Sequence, residues 1–219
     1  MQYYSEEKSG KKKRFLYKIL LRINMEIPLT KILNLYKISK ELKIDPEKGI
    51  IKSKRGIRYL LFSSDMALAI EDELKRIIGK DMAKGMTYRI GYEAGKRFAT
   101  PFKEEFKDKT TVEIANKCGE FAQIAGWGRH EIGIVSDEKI VITVYNSPIS
   151  GLKKTLKEFS CHFHAGLLGG SADVITEKRI RCEEVKCVAR GDKFCQFILN
   201  LKPNKESILN YSEVNANSV

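Results

Sequence analysis

The sequence predicts an α+β fold with an antiparallel sheet, on three observations. Apolar residues recur at helical spacing from about Ser64 to Ala125, the period changes to two beyond Gly126-Trp127-Gly128, and the strand-like runs come in pairs joined by short turns. Clustered helices with strands in hairpins indicate α+β rather than alternating α/β architecture. At 219 residues, 42% hydrophobic and 31% charged, the chain is long enough to bury a core. No apolar run approaches the roughly 18 residues of a membrane span.

Taken in order, Tyr3 to Arg14, with Lys11-Lys12-Lys13-Arg14, reads as a flexible arm. Phe15 to Ile44 has apolar residues at both helical and alternating spacings, with Pro28 marking a break. Gly49 to Phe62 holds two β-rich runs about Lys54-Arg55-Gly56, a hairpin pattern. Ser63-Ser64-Asp65 is an N-cap signal for an amphipathic helix carrying Met66, Leu68, Leu74, Ile77 and Ile78 and ending near Gly79. A second helix is predicted from about Asp81 to Phe98, with Met82, Met86, Ile90, Ala94 and Phe98 on one inward face and Pro101 as its stop. Thr110 or Thr111 caps a third, with Val112, Ile114, Ala115 and Phe121 inward.

Glu131 to Val135 and Ile140 to Tyr145 then form antiparallel strands about a Ser-Asp-Glu turn. A helix is expected over Leu152 to Leu168, its end marked by Gly169-Gly170. The last hairpin pairs about Lys178–Lys186 with Phe194–Leu201 around Gly191-Asp192.

The formal charge is +12, and residues 1–56, with 15 basic against 6 acidic side chains, hold +9 of it. The basicity therefore belongs to the N-terminal extension, where it suits a weak anionic partner whose binding fades with salt, or simply a solvated tail. Met1 to Lys13 lacks the apolar stretch of a secretory signal, so a cytoplasmic location is expected.

The informative chemistry lies in the last third. Cys161, Cys182, Cys187 and Cys195 fall close together in sequence with His162, His164, Glu183 and Glu184. In a reducing compartment such a cluster points to metal or catalysis rather than disulfides, although buried reduced cysteines are the plain alternative. Cys187 and Cys195 flank a hairpin loop and so come close whatever its detailed turn. Glu184 can join Cys187 only if the strand bulges at Val185-Lys186, because residues three apart on a regular strand point to opposite faces. Cys161 would come from the preceding helix. Soft thiolates favour zinc over calcium or magnesium, and Lys186, Arg190 and Lys193 are near in sequence to offset the surplus negative charge.

The run Glu184-x2-Cys187-x4-Asp192-x2-Cys195-x-Phe197, with Cys161, Gly166, Gly169 and Gly170 upstream and Gly91-Tyr-Glu-Ala-Gly95 earlier, resembles the 4-vinyl reductase-type family, often labelled predicted hydrocarbon-binding. The resemblance covers roughly residues 46–201. It implies a fold like that of Bet-three-like subunits of the transport protein particle complex, helices on a twisted antiparallel sheet, usually as a homodimer. It also implies one zinc per chain, because the spacing Cys161-x22-Glu184-x2-Cys187-x7-Cys195 matches the Cys, Glu, Cys, Cys set of phenol-sensing bacterial activators, making the C-terminal hairpin zinc-linked. Cys182 and His164 remain as substitutes for Glu184.

The domain plan that follows is a basic extension over 1–45, a small-molecule binding domain over 46–203 and a polar tail over 204–219. A small apolar or aromatic ligand is the expected partner, with Met82, Met86, Ile90, Phe121, Trp127 and Phe163 as candidate contacts that serve equally as plain core. Trp127, between two glycines, reads as a core or hinge aromatic, and His130 as solvent-facing. No Gly-x-Gly-x-x-Gly cofactor loop follows a strand, so the reductase activity suggested by the family label has no visible support. An adaptor or tethering subunit and a nucleic-acid-binding regulator using residues 8–22 are the competing readings.

Overall fold

The computed structural model describes residues 29–136, 138–153 and 157–201. The basic arm ahead of residue 29 and the tail beyond 201 lie outside the described residues. The chain divides into two compact units, one ending at Arg58 and one beginning at Tyr59.

In the first unit, helix α1 (Leu29–Glu41) runs directly into strand β1 (Leu42–Asp45). β1 pairs antiparallel with β2 (Ile50–Ser53), and β3 (Arg58–Tyr59) follows in the order β1-β2-β3. The turn expected at Lys54-Arg55-Gly56 is present, with Gly56 at a positive φ of 83° that a side chain would strain. Glu41 accepts from Arg55 at 2.7 Å and pairs with Lys54 at 3.1 Å. These guanidinium and ammonium neighbours outweigh partial burial and hold its carboxyl below the usual range.

The second unit is built of α2 (Ser64–Ile78), α3 (Lys80–Glu105), α4 (Thr111–Ile124), β4 (Arg129–Ser136), β5 (Lys139–Tyr145), α5 (His162–Thr176), β6 (Arg181–Lys186) and β7 (Cys195–Asn200). Ser63 caps α2 by accepting from the Met66 amide, and Thr110 and Glu113 form a reciprocal capping box on α4. The four strands pair antiparallel in the order β4-β5-β7-β6. Strand alternation puts His130 and Ile132, Ile140, Ile142 and Val144, and Cys195, Phe197 and Leu199 in register across one face. Their burial with Cys161, Ala165, Ile180 and Cys182 forms the core.

Three expectations are corrected. α3 does not stop at Pro101 but continues to Glu105 with Pro101 inside it, where Phe102, buried against Phe98 and Phe121, anchors the segment beyond the proline. The helix expected over 152–168 begins instead at His162, after a short 3-10 turn at Ser150–Lys153. Gly166, Gly169 and Gly170 therefore lie inside α5 rather than at its end.

Those glycines make a close crossing. A Cβ on Gly166 or Gly170 would run into the backbone oxygens of Tyr88 and Tyr92, and one on Gly91 or Gly95 into those of Phe163 and Leu167. Each helix thus lays glycine backbone against the other, which only residues without a side chain allow. The inward face of α3 is Ala83, Thr87, Gly91, Gly95 and Ala99. Met82, Met86 and Ile90, expected inward, are 68%, 44% and 46% exposed. Among the described residues no helix is long and apolar enough to cross a membrane.

Candidate ligand cavity and metal centre

Two sites occupy opposite ends of α5 and β7. At the first, Cys161 stands at the N-cap position of α5, Glu184 on β6, Cys187 just after it and Cys195 at the start of β7. One ligand atom from each lies within 4.8 Å of the others. The Cys161 Sγ is 3.6 Å from that of Cys195 and 4.0 Å from that of Cys187. The strand register shifts between Glu184 and Lys186, the bulge that shared use of Glu184 and Cys187 requires. The loop between the last two cysteines is fixed by Asp192, whose carboxylate accepts from the Cys187 amide at 2.8 Å, and by Gly191 at a φ of 101°. Asp192 is the signature residue to which sequence reasoning gave no role.

The electrostatics describe a pocket short of positive charge. Burial pushes the Glu184 carboxyl up to about 8. Its Oε2 accepts from the Cys161 amide at 3.0 Å, while its Oε1 is buried without a hydrogen-bond partner. Cys161 and Cys187 are placed to donate to Cys195 and hold its thiol down, and the contacts of Cys161 with Cys187 and Cys195 push Cys161 up. The cluster accommodates one thiolate easily and resists more, a penalty that a divalent cation removes. An orphaned carboxylate oxygen aimed into three crowded thiols is what a soft-metal site needs. Three serine hydroxyls that the sequence reading missed border it: Ser150 Oγ at 3.1 Å from Cys195 Sγ, Ser160 Oγ at 3.6 Å from Cys187 Sγ and Ser147 Oγ at 3.9 Å from Cys161 Sγ. Of the expected counter-charges, Lys186 lies over the Phe194 ring and Arg190 over that of Phe159.

Neither proposed substitute for Glu184 joins the cluster. Cys182 is buried and its amide donates to the Tyr88 hydroxyl at 3.2 Å. His164 is fully buried, 3.0 Å from His130 through the two Nε2 atoms. His130 is half-buried rather than solvent-facing. Its Nδ1 donates to the Gly128 carbonyl at 3.1 Å, so the neutral ring's Nε2 carries no hydrogen and accepts from His164 Nε2–H. Burial first, and then the neighbouring imidazole, hold His164 down at about 3.

The second site is a partly open cavity of about 90 Å³ between α4, α5 and the sheet. Ala115, Ala122, Ile132, Ile142, Leu168 and Leu199 are among the side chains that surround it. None of the six candidate contacts lines it. Met82, Met86 and Ile90 are on the exposed face of α3, and Phe121 is buried in the aromatic cluster with Phe98 and Phe102. Trp127 stacks on Phe163 at 5.6 Å and meets His164 edge-on. The lining alanines and isoleucines carried no sequence signal that separates a cavity wall from core, whereas the small residues repeating every fourth position from Ala83 to Ala99 could have revealed the inward face of α3.

A domain with a cysteine-rich hairpin at one end and an apolar cavity at the other is the class that fold and sites define. Residues 140–201 match the 4-vinyl reductase domain, and residues 37–137 match the family described as activator of aromatic catabolism. The uncharacterized protein MJ1642 of Methanocaldococcus jannaschii is 32% identical over 135 residues, 61% of this chain and 74% of that protein. In fold, the chain is similar to the phenol-responsive sensory domain of the transcription activator PoxR with phenol, with a TM-score of 0.71 at 18% identity over 88% of this chain and 100% of that one. It is also similar to a trafficking protein particle complex subunit 3 from Naegleria fowleri covalently bound to palmitic acid, with a TM-score of 0.50 at 14% identity over 64% of this chain and 95% of that one. The chain belongs to the 4-vinyl reductase domain family.

Proposed function

We propose that this protein is a cytoplasmic small-molecule sensor in which an aromatic or hydrocarbon ligand enters the cavity between α4, α5 and the sheet. The observation that carries this reading is the cavity itself. Protein interiors hold few voids larger than a water molecule. At roughly 10–15 Å³ per water-sized position, about 90 Å³ gives six to nine such positions, the room for one ring. Apolar cavities of this kind stay dry and accept benzene-like guests. The phenol response in PoxR's description and the aromatic-catabolism match over residues 37–137 support the same class of ligand.

One zinc per chain, held by Cys161, Glu184, Cys187 and Cys195, is the second half of the proposal. A zinc with three thiolates and a carboxylate is a closed structural site that ties the start of α5 to the last hairpin. The exposed apolar residues of α2 and α3, among them Met66, Ile70, Met82 and Met86, suit a second copy of the chain and hence a homodimer. They equally favour a second reading, an adaptor or tethering subunit that uses this face for another protein. In either case the basic extension over 1–45 would serve a weak anionic partner.

Toluene and phenol should raise the melting temperature with a shift that grows with concentration. Ala115→Phe, which fills the cavity, should abolish the shift while leaving the fold intact. A broad panel of aromatics that leaves both proteins unmoved would refute the sensor reading and favour the adaptor.

A further inference from the structure

We infer that the ligand is an amphiphilic anion, an acid whose apolar tail fills the cavity and whose carboxylate rests among lysines at its mouth. The inference rests on the sensor reading above and deepens it. Its basis is a second, wider cavity of about 660 Å³ at the same end of the fold. Thr111, Val112, Ile140, Ile175 and Thr176 line both, so the inner chamber and the outer one share a wall.

The inner chamber offers a ligand almost nothing to hydrogen-bond. Ser171 Oγ donates to the Gly95 carbonyl at 3.2 Å and Thr176 Oγ1 to that of Ala172 at 2.7 Å. His130 is engaged at both nitrogens, by Gly128 and His164. Thr111 is exposed, at the shared wall. A hydroxyl or amide brought inside would lose its water without a new partner, a cost that excludes polar tails.

The outer chamber adds charge to an apolar lining. It is lined by Lys103, Lys107, Lys109 and Lys178 against the single carboxylate of Glu177. Lys103 pairs with Glu177 at 2.5 Å and Lys109 with Glu113 at 3.7 Å. Lys107 and Lys178 have no ion pair among the described residues. These two ammonium groups, on the segment after α3 and the segment after α5, line the outer chamber, which shares a wall with an inner one surrounded almost wholly by hydrocarbon. A molecule that satisfies both has an apolar body and one negative end.

The test compares 4-phenylbutyrate with 4-phenylbutanol, which share a tail and differ in head charge, by calorimetry on the full-length chain at low salt. The acid should bind about tenfold tighter, equivalent to about 1.4 kcal/mol, and the advantage should shrink as salt is raised. In K107E/K178E, two exposed substitutions, the alcohol should bind as before while the acid's advantage falls to about twofold or less. Ala115→Phe should abolish both. Equal affinity of acid and alcohol in the wild type, or an acid preference unchanged in K107E/K178E, would overturn the inference while leaving the sensor reading in place. Failure of every neutral and acidic compound to bind would overturn both.

Discussion

The two ends of α5 are built on opposite principles. At its start, Cys161, Glu184, Cys187 and Cys195 crowd their ligand atoms within 4.8 Å and leave a buried carboxylate oxygen unpartnered. At its end, alanine, isoleucine and leucine side chains surround about 90 Å³ whose polar neighbours are already hydrogen-bonded. The first end gathers groups that a divalent cation would satisfy, and the second is lined by groups that need no polar partner. One helix therefore connects the proposed metal site to the proposed ligand site, and perturbing the two should give effects of very different size.

The largest effect is expected at the cysteines. Cys195→Ser should abolish stoichiometric zinc retention, checked by elemental analysis, and lower the melting temperature by more than about 10 °C, at roughly 2–4 °C per kcal/mol for a chain of this length. Protein purified without chelator and free of transition metal would remove this half of the account.

The crossing that joins the two ends should come next. Gly170→Ala forces a Cβ into the Tyr92 backbone and should cost about 3 kcal/mol or more in denaturant unfolding. Gly85→Ala, on α3 with open space around it, should instead be neutral or gain about 0.5–1 kcal/mol. Similar behaviour of the two variants would mean that the crossing is looser than described.

His164 gives a pH-dependent effect of intermediate size. Its folded value of about 3 lies below the ordinary 6.5, so the unfolded chain takes up the proton first. The stability this confers is fully present above about pH 6.5 and is lost as pH falls toward 3. Between pH 6.5 and 5, wild-type stability should therefore fall more steeply than that of His164→Gln, by about 1.4 kcal/mol per unit. Parallel pH profiles would contradict the burial argument. The smallest effect belongs to the cavity: Ala115→Phe should change stability by less than about 3 kcal/mol, because there is space to receive the ring.

The same contrast explains what was legible in the sequence. The metal candidates stood out because few residue types are soft ligands and the family resemblance pointed to Cys161, Glu184, Cys187 and Cys195, while Cys182 and His164 stayed open as substitutes until the fold placed them outside the cluster. The hairpins and the capped starts of α2 and α4 were legible for a local reason, as turn and cap chemistry acts over a few residues. α3 misleads because large apolar side chains suggest inwardness: Met82, Met86 and Ile90 look like core, but a glycine-to-glycine crossing selects the small face. Gly169-Gly170 reads as a stop because a helix-ending glycine and a helix-crossing glycine are the same letter, told apart only by a partner more than seventy residues away in the chain, Tyr92. The cavity left no trace, since walls and core use the same side chains.

Anomalous diffraction from a single crystal of the full-length protein soaked in bromobenzene, recorded at the zinc and bromine absorption edges, tests the central claim most directly. A zinc peak is expected among Cys161, Glu184, Cys187 and Cys195 and a bromine peak between Ala115, Ile142 and Leu168. A zinc peak with no bromine in the cavity would leave a structural metal domain without a sensor, and absence of both would contradict the account at each end of the helix.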